Sequence, residues 1–399
     1  MIKRRITAFW ITPLLASLIL GGCGDKNAAH ALWQDYEQRL ERVLDAKLDD
    51  EASDTQASDT EVSETQAGDT EASEEPVKER GLPTNLLTKT DEFRLTEKFR
   101  LPEKVSPTLR LEDGSGNIGI LELNAIRSCR LGELIAAHNS SLGKVAQPSV
   151  WLNYQLDFIH SAPQCIASLT DGELKEKLSL TLSNKKAQAR AYFIEFLNTE
   201  PVIRKALFAG QQSLDADTPL AGLSELTLAL ETLLFIRRTI EAGEFEALTP
   251  DKLTRLDEAL RTLSRNPMLG RYIQGMNTHL TALSDLNGFL AKQDGMHCKP
   301  GHNPARQEIL LNILMKYFIG KIQPYIGAYS ETQFKIGRVV IELFDGTAYE
   351  SQLEFYFGDD NAMAKLKQQL KEHVAIWQTL QQSCALEIKP GSAGRARSQ

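Results

Sequence analysis

The chain has 399 residues, 42% hydrophobic and 25% charged, with a formal net charge of -8. That length holds one large domain or two ordinary ones, and the apolar share is enough for a sizeable core. Eleven of the acids fall in residues 49–75, which hold no base. The rest of the chain therefore carries +3, and its charge implies neither nucleic acid nor an anionic membrane surface as a partner.

The first element is a leader. Lys3, Arg4 and Arg5 precede a mostly apolar, uncharged run from Ile6 to Leu20, closed by Gly21, Gly22 and Cys23. A basic start, an apolar stretch and small residues before a cut describe a secretory signal peptide over 1–22. The run is too short for a comfortable membrane span, which needs about 20 apolar residues. Leu20-Gly21-Gly22-Cys23 resembles the lipobox of bacterial lipoproteins. That resemblance implies linkage of the Cys23 thiol to a diacylglycerol, cleavage before Cys23 and acylation of the new amine, with palmitate-type chains. Stable anchoring takes more than one chain, at about 0.8 kcal/mol per buried methylene, and a triacylated cysteine supplies three. Gly24, not aspartate, follows the cysteine. Under enteric-type sorting this points to the outer membrane, facing the periplasm. Asp25, one place later, keeps the inner membrane as the alternative.

Residues 23–48 form the lipidated N-terminus and a first helix, in which Leu32, Tyr36, Leu40, Val43 and Leu44 recur at three and four residues. From Asp54 the chain reads DTQAS, DTEVS, ETQAG, DTEAS. These repeats lack aromatics and bury too little to offset the entropy of ordering. A disordered acidic linker is expected over 49–80, extended by self-repulsion. A helical periplasmic domain follows over 81–389. Its first part, to about Asn117, holds prolines and scattered leucines and is expected to wrap a surface in extended form, ending in the loop Asp113–Asn117.

Helical periodicity then covers 118–138, 148–169, 171–197, 201–208 and 220–242. Thr249 as cap and Pro250 at the first position open a helix to Leu263, and another runs 267–292. Asn303 caps a helix from Pro304 to about Ile322, which Pro324 breaks or kinks. Residues 334–357 carry β-branched side chains and an Asp345-Gly346 pair, a hairpin signal. Yet Ile336, Val339, Val340, Leu343 and Phe344 fit one helical face, and Tyr349, Leu353, Tyr356 and Phe357 fit another. Two helices are expected, with a hairpin as the alternative. Asn361 caps a last helix to about Cys384, and 390–399 is a disordered tail. Antiparallel helices with short links give an all-α, irregular multi-helix bundle stapled by disulfides.

Acylation consumes Cys23 and leaves Cys129, Cys165, Cys298 and Cys384, an even number in an oxidising compartment. Two disulfides are expected. Three pairings are possible, and sequence proximity favours Cys129–Cys165 with Cys298–Cys384. His297, Cys298 and His302 raise a zinc reading, but the paired spacing of zinc sites is missing. No C-x-x-C marks a redox thiol. No metal or cofactor is assigned.

The candidate functional loop runs from Asn139 to Lys144, with Asn139, Ser140, Ser141, Gly143 and Lys144 as its candidate residues, preceded by His138. A phosphate loop would need glycine where His138 stands. A nucleophile, Ser140 or Ser141 with His138 and an acid such as Glu133, lacks the G-x-S-x-G turn. The favoured reading is a polar cap, with Asn139, Ser140 and Ser141 satisfying helix ends and Gly143 allowing a tight reversal. No catalytic residue is assigned. His30, His160, His279, His297, His302 and His373 are scattered and read as half-buried structural groups. Glu195, Glu200 and Glu225 read as solvated helix faces.

The block CRLGELIAAHNSSLGKVAQPSVWLNYQLDFIHSAPQC, from Cys129 to Cys165, carries a further resemblance. It resembles an uncharacterised family of gammaproteobacterial lipoproteins, DUF3080, whose pattern is C…ERNSSLGKVMQPS…L-Y-E-L-x-F…APxC. The family's C-x-x-G, V-Q-P-Y-L and W-Q-x-L…C segments have counterparts in Cys298-Lys299-Pro300-Gly301, Ile322-Gln323-Pro324-Tyr325-Ile326, and Trp377-Gln378 through Cys384. The resemblance spans about Leu82 to Gly391 and is most specific from Asn139 to Ser149. It departs at His138, where the pattern has glutamate-arginine, and the acidic repeat looks like an insertion. It implies the same four mature cysteines, in support of the two disulfides, and brings no activity. The expectation is a membrane-anchored periplasmic protein, non-enzymatic, that binds an envelope protein through a helix groove. The alternatives are a hydrolase or transferase centred on Asn139–Lys144, and a carrier of an apolar ligand between helices.

Overall fold

A computed structural model describes residues 27–45, 118–208, 212–298 and 304–384. The leader, Cys23, the acidic repeat, the segment expected to be extended, Asn303 and the tail lie outside the described residues. Among the described residues every regular element is helical, as the periodicity predicts. The first are α1 (Ala28–Leu44), α2 (Ile120–Ala125), α3 (Arg130–His138), α4 (Pro148–Ser168), α5 (Gly172–Thr199) and α6 (Pro201–Phe208). They are followed by α7 (Leu223–Glu241), α8 (Pro250–Arg265), α9 (Met268–Ala291), α10 (Pro304–Ile313), α11 (Gln323–Phe344), α12 (Glu350–Phe357) and α13 (Ala362–Ser383). None of the described helices is long and apolar enough to cross a membrane.

The main core runs through the bundle between α1 and α4 to α13. Ala29, Trp33, Tyr36, Leu40 and Leu44 put the buried stripe of α1 into it at helical spacing. Each large apolar side chain of that stripe adds about 1.5–3 kcal/mol by leaving water. α1 lies parallel to α9: Trp33 meets His279, and Leu44 meets Gly295 in the turn that follows α9. Both ends of α1 are held. The Ala29 amide donates to Ser213 Oγ at 2.9 Å, and Arg306 Nε donates to the Val43 carbonyl at 2.8 Å. The first helix is thus part of the core, and residues 46–117 connect helices packed in one bundle.

A smaller core joins α2, α3, α4 and the first turns of α5 through Ile126, Leu131, Ile135, Phe158, Leu174 and Leu178. The Cys129–Cys165 disulfide staples it, with Cα atoms 5.6 Å apart. Cys298–Cys384 ties the turn after α9 to the end of α13, with Cα atoms 5.1 Å apart.

Three local expectations are corrected. Residues 118–138 form two helices, because the chain turns at Ile126 to bury that side chain completely. Gly132 permits the turn, since a Cβ there would fall on the Ile126 carbonyl. Thr249 is the N-cap residue of the helix opened by Pro250, as expected, but its side chain makes no cap bond. Its carbonyl instead accepts from the Lys252 and Leu253 amides. Pro324 neither ends nor interrupts the helical run. Residues Leu314–Ile322 widen into a π-helix, and the Gln323 amide donates to the Phe318 carbonyl, five residues back. The wide turn accommodates a proline ring that would clash with the carbonyl four residues back in an α-helix.

Residues 334–357 are helical, in α11 and α12. Asp345-Gly346 forms the turn between them, with Gly346 at φ +74. Arg237, buried on α7, decides this. Its guanidinium donates to the Leu343 and Asp345 carbonyls at 2.9 and 2.8 Å and pairs with the Asp345 carboxylate at 2.9 Å. The C-terminal carbonyls of α11 are thereby satisfied by a helix far away in sequence.

Candidate functional site

The Asn139–Lys144 loop joins α3 to a 3-10 turn, Gly143–Val145, that leads into α4. Asn139 is the C-terminal cap of α3, its amide bonded to the Ile135 and Ala137 carbonyls. Ser140 Oγ donates to the Ala137 carbonyl at 2.7 Å and accepts from the Gly143 amide at 3.1 Å. Both the proton and a lone pair of that hydroxyl are in use, and both partners are backbone. Gly143 is required by space: a Cβ would fall on the His138 carbonyl. The loop is a rigid reversal built by local bonds. Ser141 is exposed.

The side chains around the loop point elsewhere. The His138 ring stacks on Tyr154 of α4, with centroids 3.9 Å apart and planes 5° apart. Glu133 pairs with Arg130 at 3.1 Å, and Arg130 reaches Asp157 on α4 at 3.1 Å. Two surface grooves among the described residues, one beside Arg261 and Arg265 and one beside Arg238 and Arg338, are lined by other elements. The loop does present apolar surface: Leu142 is 82% and Val145 78% exposed, with Val150 on the first turn of α4 at 56%.

Glu200 departs from the solvated-face reading. It is buried, and its carboxylate accepts from the Ser149 amide at 3.1 Å and the Val202 amide at 3.3 Å. One side chain therefore serves the first turns of both α4 and α6. Glu195 is also buried, whereas Glu225 is exposed.

His279 and His373 are fully buried, not half-buried as lone helical histidines are expected to be. His373 Nε2 accepts from Trp377 Nε1 at 3.0 Å and from the Tyr36 hydroxyl at 3.1 Å. An indole N–H only donates, so the ring proton sits on Nδ1, which donates to Asn287 Oδ1 at 2.7 Å. His279 Nδ1 accepts from Trp33 Nε1 at 2.9 Å, and its ring stands edge-on to Tyr329 at 4.7 Å. Burial lowers both imidazoles to a pKa of about 3, so both are neutral at physiological pH. These two networks fasten α1 to α9, α11 and α13. His297 is exposed beside a cysteine held in a disulfide, and His302 lies outside the described residues.

The family model for proteins of unknown function (DUF3080) matches residues 87–388. The chain belongs to this family. The match covers the helices from α2 to α13 and leaves α1 before its start. No curated protein and no solved structure matches the chain. Family membership accordingly adds no activity to the geometry of the loop.

Proposed function

We propose that the chain is a lipoprotein held by Cys23 on the periplasmic face of the outer membrane, and that it acts by binding an envelope protein. The anchor reading is supported by the leader and by Leu20-Gly21-Gly22-Cys23. The binding reading is carried by one observation: Leu142 and Val145 are four-fifths exposed on a loop whose backbone is fixed by Ser140 and Gly143. Holding large apolar side chains in water on a rigid reversal forgoes about 1.5–3 kcal/mol each, which a partner recovers on contact. A rigid loop also loses little entropy on binding.

The test is photocrosslinking in cells from positions 142 and 145, read by mass spectrometry, with Leu142→Asp and Cys23→Ala variants. The expected result is a stoichiometric envelope protein that disappears in Leu142→Asp, while Cys23→Ala leaves the membrane fraction. A chain that stays in the membrane fraction without Cys23 removes the anchor. An absence of protein adducts, with a small molecule or lipid co-purifying, removes the binding reading.

A further inference from the structure

We propose that the end of the bundle at which α1 begins lies against the bilayer, and that a groove at that end receives the phosphodiester headgroup of an anionic lipid on Arg261 and Arg265. The proposal rests on the anchor at Cys23.

Four residues separate Cys23 from α1, so Ala28 is five steps along the chain, and an extended chain covers at most about 3.5 Å per step. The bundle is therefore held within about 17 Å of the acylated cysteine. The level at which α1 begins is marked on α9. The Ala29 amide bonds Ser213 Oγ, and the Cβ of Ser213 lies 2.9 Å from the Cβ position of Gly275. Pro267 lies eight residues before Gly275, about 12 Å further along the helix axis at 1.5 Å per residue. Because α1 and α9 are parallel, Pro267 lies beyond the N-terminal end of α1, on the side of the bundle at which α1 begins.

Pro267 forms one wall of an open groove of about 630 Å³ between the first turn of α7 and the last turns of α8. Arg261 and Arg265 stand one turn apart on α8, both exposed, and neither forms an ion pair among the described residues. Two guanidinium forks one turn apart match the oxygens of a phosphate. Glu225 and Glu258 also line the groove. Their charge disfavours a free dianion such as inorganic phosphate and leaves the singly charged phosphodiester as the better match. Each arginine near an anionic surface contributes about 1 kcal/mol, or five-fold. That is weak for a free protein and sufficient for one whose short tether keeps the groove at high effective concentration beside the leaflet.

The test uses the full lipidated chain in phosphatidylcholine vesicles with and without phosphatidylglycerol. Amide exchange is followed by mass spectrometry over 219–226 and 258–268, and the mass of the N-terminal peptide is read in the same sample. Acyl chains on Cys23 with slower exchange at both segments only in phosphatidylglycerol vesicles is the expected result. The slowing should reach up to about 25-fold, five-fold per arginine. It should vanish in Arg261→Gln/Arg265→Gln while exchange along α9 is unchanged, which shows the variant is folded. Acyl chains with lipid-independent exchange overturn the proposal alone. The same slowing from inorganic phosphate without vesicles overturns the lipid as ligand. An unacylated Cys23 overturns the anchor and the proposal together.

Discussion

His373 is enclosed by Tyr36, Asn287, Phe318 and Trp377, and its geometry requires a neutral ring with the proton on Nδ1. With His279 it makes the fold sensitive to acid. The folded pKa is about 3 for each ring, below the ordinary 6.5 of an unfolded chain. Between those values the unfolded state binds more protons, so stability is complete above about pH 6.5 and falls as pH falls. Each histidine should cost about 1.4 kcal/mol per pH unit in that window. Urea unfolding at stepped pH should show a combined slope near twice that, and His373→Leu should halve it. A flat profile down to about pH 5 would show that neither ring stays neutral. At the loop, Ser140→Ala should lower stability by about 0.5–2 kcal/mol, the range of a lost cap. Gly143→Ala should cost about 1–3 kcal/mol by crowding the His138 carbonyl. Thermal melts of the two variants rank these effects.

Among the helices, α1 is the clearest case of an element stabilised by tertiary packing. Its seventeen residues are near the length at which an isolated helix is marginal. Trp33→Ala should cost about 3–5 kcal/mol, and it strips the hydrogen bond from His279. Hydrogen exchange should then rise along α1 while α4 and α5 keep their protection. Equal loss in both regions would mean that α1 and the smaller core unfold as one unit. Much of the helical layout is legible in the sequence, because Leu226, Leu230, Leu233 and Leu234 keep one period against one core. The cap at Asn361 is legible for the same local reason, and its side chain bonds the Ala364 amide at 2.8 Å. What escapes is decided at a distance. Nothing near Pro324 announces a π-helix, nothing near Asp345 announces Arg237, and the role of Glu200 depends on Ser149, fifty-one residues away. The cap role of the candidate loop is legible because Ser140 bonds its own neighbours, whereas the exposure of Leu142 and Val145 depends on what the rest of the chain leaves uncovered.

For the molecule as a whole, the two disulfides close loops of different length. Cys298–Cys384 spans 86 residues and Cys129–Cys165 spans 36. In the chain-entropy model, loss of the longer loop costs about 4–5 kcal/mol and of the shorter about 4. The double variants Cys298→Ala/Cys384→Ala and Cys129→Ala/Cys165→Ala should therefore both lower the denaturation midpoint, the first slightly more. A negligible effect of the first pair would mean that the end of α13 is already held by packing.

The position of α1 also determines how the molecule answers to tension. A pull on the N-terminus of α1 along its axis meets the contacts of Trp33, Tyr36 and Leu40 in shear. Neither disulfide lies on that path. If α1 slides out, it draws Trp33, Tyr36 and Leu40 from the core while both disulfides still hold the helices from α2 onward. The first helix is thus the mechanical fuse of the bundle, the element that yields before the stapled helices do.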